Sequence, residues 1–70
     1  MGKDLIQKFG NKVRKERLSL GLSQEELASR AHVHRTYIGM IERGEKNITL
    51  ENIGKLAKAL NVTIDEFMKL

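Results

Sequence analysis

The feature that most constrains this chain is the close spacing of two short helical patterns, 23–31 and 34–43. The first opens on S-Q-E-E, a capping box in which the side chains of Ser23 and Glu26 bond each other's backbone amides. The second ends at Gly44, a residue type that favours the left-handed cap of a helix. Helices of only two or three turns are not stable alone, so tertiary packing must hold this pair.

Three further helices flank the pair, because each remaining apolar series also repeats with a period near 3.6 and the chain has no proline. The first begins near Asp4 and ends at Gly21. The fourth begins near Thr49, and a capping box of Thr63 and Glu66 opens a short fifth. The inner faces of the first and fourth helices are predicted to carry Ile6, Phe9, Val13 and Leu20, and Leu50, Ile53, Leu56, Ala57 and Leu60, respectively. The predicted fold is therefore all-α, with one five-helix domain over 1–70.

Size and composition restrict how such a domain is stabilised and what it binds. Seventy residues bury only a small core, and with no cysteine there is neither a disulfide nor a thiolate metal site to support it. Dimerisation is the remaining candidate, and no cofactor is expected. The net charge of +4 favours an anionic partner. The excess is concentrated before residue 20, in Lys3, Lys8, Lys12, Arg14, Lys15 and Arg17.

Several classes of function find no support in the sequence. The chain has no apolar run of membrane-spanning length and no signal peptide, so we expect a cytoplasmic protein without a membrane partner. Paired carboxylates in a pocket and glycine-rich phosphate loops are also missing, which argues against an enzyme. His32 and His34 form an H-x-H pattern, but two histidines without a third ligand are a weak zinc signal, so no metal site is predicted.

The outer face of the third helix carries the side chains that point to a function. With Ile38 and Ile41 turned inward, Arg35, Thr36 and Tyr37 lie on or beside the opposite face. Arginine donates two hydrogen bonds to guanine, and threonine and tyrosine offer hydroxyls to base edges. Two short helices joined by a tight turn form a helix-turn-helix unit, whose second helix enters the major groove of DNA. The unit is predicted to span 23–43.

The segments LSQEELA, RTYIGMIERGEKN and LAKALNVTIDEF together resemble the Xre/Cro-type helix-turn-helix family, over roughly 13–68. Within that family the chain is most similar to the controller proteins of restriction-modification systems. The resemblance implies a lambda-repressor-like domain and a transcriptional regulator that binds a palindromic operator as a homodimer. Alternatives are a phage Cro-like repressor or an antitoxin-type regulator. A different class, a protein-protein adaptor that uses the same basic face, also stays open.

Site residues follow from the helical wheel and from this resemblance. Base contacts are predicted for Arg35, Thr36 and Tyr37, with packing over the rim of the core as the alternative for Tyr37. Phosphate contacts are predicted for Ser23, Gln24, His34, Arg43, Lys46 and Asn47. The resemblance also implies an internal ion pair between Arg17 and Glu42.

Two further expectations concern the histidine turn and the partners. The family usually has a glycine near His32 and a serine or threonine near His34, so the cap of the third helix is open to question in this chain. The apolar C-terminal segment is predicted to form the dimer interface through Val62, Phe67, Met68 and Leu70, with core packing as the alternative role for Ile64 and Phe67. Double-stranded DNA is the main expected partner, and RNA polymerase is a further candidate.

Overall fold

The structure is a computed structural model that describes residues 2–70, apart from the side chain of Lys3. The described residues form five α-helices and no strand. The helices are α1 (Gly2–Ser19), α2 (Gln24–Ala31), α3 (Arg35–Glu42), α4 (Leu50–Ala59) and α5 (Ile64–Phe67). This confirms the all-α fold class and the number of helices predicted. In the part of the chain described, no helix is both long enough and apolar enough to cross a membrane.

The ends of the two central helices follow the local signals in the sequence. Ser23 caps α2: its hydroxyl accepts from the Glu26 amide at 3.0 Å, while the Glu26 carboxylate accepts from the Ser23 amide at 2.8 Å. The turn after α2 contains His32 in the left-handed conformation, with φ of 58°. His34 does cap α3, because its Nδ1 accepts from the amide of Thr36 at 3.2 Å. Gly44 follows α3 with φ of 71°, as predicted.

The core lies where α1, α2, α3 and α4 meet, with α5 closing one end. It is mostly aliphatic, and its one aromatic pair joins Phe9 and Phe67, whose ring centroids lie 5.0 Å apart. Gly10 allows α1 and α3 to approach closely, since a Cβ there would lie 2.2 Å from the carbonyl oxygen of Ile41. The buried apolar side chains are Phe9, Val13, Leu22, Leu27, Ala28, Ala31, Ile38, Ile41, Leu56, Ala57, Leu60 and Phe67.

Four predictions about helix ends and inner faces were wrong. Helix α1 begins at Gly2, so Asp4 lies in its first turn, where its charge suits the helix dipole without capping. Leu20 is exposed because the helix ends at Ser19, and Leu22 enters the core after the left-handed Gly21 instead.

Leu50 is 77% exposed, although Asn52 and Ile53 in the same turn of α4 contact α3 and the core, so Leu50 lies on the solvent side of this turn. At α5 only half of the predicted capping box forms. The Thr63 hydroxyl accepts from the Glu66 amide at 3.3 Å, but the Glu66 carboxylate pairs with Lys69 at 3.2 Å.

Candidate nucleic-acid interface

An open groove between the start of α2 and the outer face of α3 contains five of the nine residues predicted to contact DNA. Ile38 and Ile41 anchor α3 to the core with 0% and 1% exposure, so the other side of this helix faces solvent. The N-terminal turn of α2 borders the same groove, which brings its free backbone amides next to α3. The side chains lining the groove are Arg17, Ser23, Gln24, Glu25, Glu26, Arg35, Thr36 and Arg43, with Gly39 at its base.

Arg35 and Thr36 are exposed in the first turn of α3. The guanidinium of Arg35 contacts the carboxylate of Glu25 on α2, with 3.3 Å between Nη1 and Oε2. Both side chains are more than two-thirds exposed, so water screens this pair and its contribution to stability is small. Arg35 is therefore free to exchange its carboxylate partner for another acceptor.

Tyr37 is half-buried and packs against the core at the edge of the same face. Its hydroxyl accepts a hydrogen bond from the side-chain amide of Asn52 on α4, at 2.9 Å. The packing over the rim of the core that was expected as one alternative for Tyr37 is thus present. The ring also carries its hydroxyl group toward α4. Tyr37 differs in this respect from Arg35 and Thr36, which extend into solvent.

A hydrogen-bonded chain runs from the core to Gln24 at the start of α2. The Glu42 carboxylate accepts from Nε and Nη2 of Arg17 at 2.7 and 2.9 Å, which shows the predicted internal ion pair. This hydrogen bond raises the pKa of Arg17 above its usual value. Arg17 also donates to the carbonyl oxygen of Leu22 at 2.8 Å, and Gln24 donates to Glu42 at 3.1 Å. The amide nitrogen of Gln24 retains a second hydrogen for a ligand.

Arg43 follows α3 and lies over Gly39. Its Nε donates to the Glu45 carboxylate at 2.9 Å, and this hydrogen bond raises the pKa of Arg43. A Cβ at Gly39 would lie 3.0 Å from Nη1 of Arg43 and 3.6 Å from Oε1 of Gln24. Glycine at this position therefore leaves room for two predicted phosphate-contacting side chains to fold toward the base of the groove.

The remaining predicted phosphate contacts lie around this groove or beyond its end. Ser23 lines it, but its hydroxyl oxygen already caps α2. His34 is exposed, and its Nδ1 is used to cap α3, which leaves Nε2 for another partner. Lys46 and Asn47 are exposed in the loop before α4 and border a different, apolar cleft beside α1. The structure thus gathers Ser23 and Arg43 with Gln24, and separates Lys46 and Asn47 from them.

The four residues predicted for a dimer interface have different environments. Phe67 is fully buried and its ring packs in the core against Phe9, which is the core-packing role expected as its alternative, so it is not available for a dimer interface. Val62 is half-buried beside Ile64, which is 49% exposed and not in the core as expected. Met68 and Leu70 are exposed by 38% and 43%. Three apolar side chains are therefore exposed near the C-terminus, namely Ile64, Met68 and Leu70.

Two polar partners in this region were not anticipated from the sequence. Glu25 is the partner of Arg35, ten residues away, and Asn52 is the partner of Tyr37, fifteen residues away. Both contacts join different helices, so no spacing rule within one helix predicts them. The structure also shows no group of three potential metal ligands within its described residues.

Comparison with known proteins connects this geometry to a family. The family model described as "Helix-turn-helix" matches residues 13–67. The control protein C.BamHI of Bacillus amyloliquefaciens is 56% identical over 55 residues, which cover 77% of this chain and 68% of that protein. The control protein C.SmaI of Serratia marcescens is 43% identical over 65 residues, which cover 93% of this chain and 77% of that protein.

Solved structures give the same result. The restriction-modification controller protein C.AhdI from Aeromonas hydrophila is similar with a TM-score of 0.86 and 45% identity, covering 89% of this chain and 94% of that one. The controller protein C.Esp1396I, solved as a tetramer with its natural 35 base-pair operator, has a TM-score of 0.87 and 35% identity, covering 93% of this chain and 86% of that one. The chain belongs to the helix-turn-helix family of restriction-modification control proteins, which are transcriptional regulators and not enzymes.

Proposed function

We propose that this protein controls transcription of a restriction-modification operon, its own gene included, by binding a palindromic operator as a homodimer. The observation that carries the proposal is the exposure of Arg35 and Thr36 in the first turn of α3, while Ile38 and Ile41 hold the opposite side in the core. The first turn of a recognition helix normally enters the major groove most deeply. Arg35 suits a guanine, and Thr36 suits a base edge or a thymine methyl group.

Phosphate contacts on either side of α3 would orient the helix in the groove. Gln24 is held by Glu42 at the start of α2, where free backbone amides already favour an anion. Arg43 lies beyond the other end of α3, and Lys46 and Asn47 extend this side along the loop. Ser23 and His34 flank the two helix starts. Such contacts add salt-dependent affinity and fix the register, but they do not select a sequence.

The proposed homodimer is supported by the small size of the domain and by the exposed apolar side chains near the C-terminus. A single module of this size binds DNA weakly, whereas two copies that contact half-sites about 34 Å apart multiply the specificity. Val62, Met68 and Leu70 are proposed for the interface, together with the unexpectedly exposed Ile64. A regulator bound at a promoter lies beside the transcription machinery, so RNA polymerase is a proposed partner, and the proposed location is the cytoplasm.

Selection from a random pool of DNA duplexes at near-physiological salt tests the proposed function. We expect an inverted repeat with half-sites one helical turn apart, bound orders of magnitude more tightly than a scrambled duplex. If no sequence is enriched and binding is weak and salt-sensitive, the protein is a basic adaptor for acidic partners instead.

Two single substitutions then test the roles of the side chains. Arg35→Ala should cost about 1–3 kcal/mol of binding and relax the preference at one guanine, because it removes a direct base contact. Gln24→Ala should weaken binding to all duplexes alike, since its contact is to the backbone. An unchanged ratio of specific to random binding in Arg35→Ala would exclude direct readout by this residue.

A further inference from the structure

We propose that Asn52, on α4 and outside the helix-turn-helix, is a positioning residue for sequence readout, acting through the hydroxyl of Tyr37. The inference rests on the proposed function and goes beyond it, since it assigns a role to a residue outside the groove. It also specifies the chemistry that Tyr37 recognises, a hydrogen-bond acceptor on a base edge.

The first step is the placement of the Tyr37 ring. One side packs against the hydrophobic core, and the hydroxyl is tied to Asn52 by a 2.9 Å hydrogen bond. The backbone of Asn52 is fixed in turn, because its amide donates a 3.1 Å hydrogen bond to the hydroxyl of Thr49, the residue that caps α4. The ring is thus held from both ends, and little side-chain entropy remains to be lost when DNA binds.

The second step is the polarity of the hydroxyl. A phenol has one donor hydrogen and acceptor lone pairs. Because the Asn52 amide donates to this oxygen, one lone pair is occupied and the phenolic hydrogen stays available for another partner. Tyr37 therefore presents a donor to whatever approaches the first turn of α3.

The third step is the partner that this donor selects. In the major groove, guanine O6 and N7, adenine N7 and thymine O4 are acceptors, whereas the cytosine amino group is a donor. A fixed phenolic donor favours the acceptors and disfavours a cytosine at the contacted position. A phosphate oxygen is also an acceptor, but it is the same at every sequence, so only a base contact produces a preference at one position.

The test measures base preference at every position of the operator half-site for three single variants. In Tyr37→Phe the donor is absent, and in Asn52→Ala the hydroxyl loses its partner. Asn52→Asp keeps the shape of the side chain but replaces the amide donor by a carboxylate, which accepts the phenolic hydrogen. We expect all three to reduce the preference at the same single position by about fivefold to tenfold, the worth of one hydrogen bond.

Three controls test whether residue 52 acts through the hydroxyl and separate this role from charge and from folding. Asn52→Asp combined with Tyr37→Phe should show no further loss of preference at that position, because the hydroxyl through which residue 52 acts is gone. Glu51→Ala changes the charge at the neighbouring position of α4 and should leave the base preference unaltered. Unfolding free energies of Tyr37→Phe, Asn52→Ala and the combination give the coupling of the two side chains in the absence of DNA, which should be favourable.

Each other outcome overturns the inference in a recognisable way. A wild-type preference in Asn52→Asp would mean that the hydroxyl donates to residue 52 and presents an acceptor to DNA. Equal weakening of all sequences by Tyr37→Phe would assign the contact to a phosphate oxygen. If the unmutated protein itself prefers no sequence, the proposed function fails and the role of Asn52 falls with it.

Discussion

On α3, some side chains hold the helix in the core and others stay available for the proposed contacts with DNA. Ile38 and Ile41 hold α3 in place, while Arg35 and Thr36 stay exposed. Gly39 lies between these two sides and is unfavourable in the interior of a helix by about 1 kcal/mol relative to alanine. Its presence is explained by the two side chains that fold over it.

Gly39→Ala is expected to stabilise the fold and weaken DNA binding. The added methyl group raises helix propensity by up to about 1 kcal/mol, and the exposed tip of Arg43, 3.0 Å away, can move to admit it. That movement takes Arg43 from its place in the groove. Thermal unfolding and operator titration of the same samples measure both effects.

Gly54→Ala is the matched control, because a Cβ at this helical glycine meets nothing within 4 Å. It should stabilise the protein without changing DNA binding. Unaltered affinity in Gly39→Ala would show that Arg43 does not bind DNA from the position seen here.

At the scale of elements, the ion pair of Arg17 and Glu42 joins α1 to α3 and continues to Gln24 on α2. The two charged side chains are buried, with 8% of each residue exposed. The ion pair and the hydrogen bond from Gln24 therefore hold α1, α2 and α3 together around the groove.

Glu42→Ala should destabilise the fold by about 3–5 kcal/mol, because it leaves the Arg17 guanidinium buried without its counter-charge. Denaturant unfolding measures the loss. Adding Arg17→Met should restore part of it, since the unpaired charge is then removed, although the carbonyl of Leu22 loses its donor. A loss below about 1 kcal/mol in Glu42→Ala would mean that water reaches the guanidinium.

The capping box of α2 makes the stability of the folded protein depend on pH. The hydrogen bond from the Ser23 amide holds the pKa of Glu26 below its usual range. The unfolded chain then binds this proton more readily than the folded one, so the stabilisation is complete above the unfolded pKa, about 4.3, and is lost as pH falls through the folded pKa.

Glu26→Gln keeps a capping-box residue that does not titrate. The stability of the unmutated protein relative to this variant should therefore be constant near neutral pH and should decrease below about pH 4.3. Unfolding midpoints between pH 7 and 3 test this, and parallel curves for the two proteins would contradict it.

Local features of the fold could be predicted from the sequence, whereas features that depend on tertiary packing could not. The cap at Ser23, the start of α4 near Thr49 and the end of α3 at Gly44 were predicted because each depends on residues a few positions apart. The exposure of Leu50 and Ile64 was not, since it depends on how the helices pack against one another. The same holds for the site: the helical wheel identifies Arg35, but its contact with Glu25 depends on the angle between α2 and α3.

At the scale of the whole molecule, the protomer measures 30 × 24 × 21 Å and is too small to contact two successive turns of DNA by itself. The exposed apolar side chains near the C-terminus are the residues proposed to contact a second copy. Burial of such side chains contributes about 25 cal/mol for each Å² removed from water. A homodimer would therefore stabilise this small core and supply the second half-site contact.

Leu70→Glu should shift the protein from the proposed dimer toward monomer, because it replaces an apolar side chain of the proposed interface by a charged one that must lose water on association. Sedimentation equilibrium without DNA measures the association constant. Leu18→Glu is the matched control: Leu18 is 55% exposed near the end of α1 and is not among the residues proposed for the interface. If both variants and the unmutated protein have the same association constant, the interface does not include Leu70. If Leu70→Glu is monomeric, its operator affinity should fall steeply with dilution, because two weakly bound protomers must then meet on the DNA.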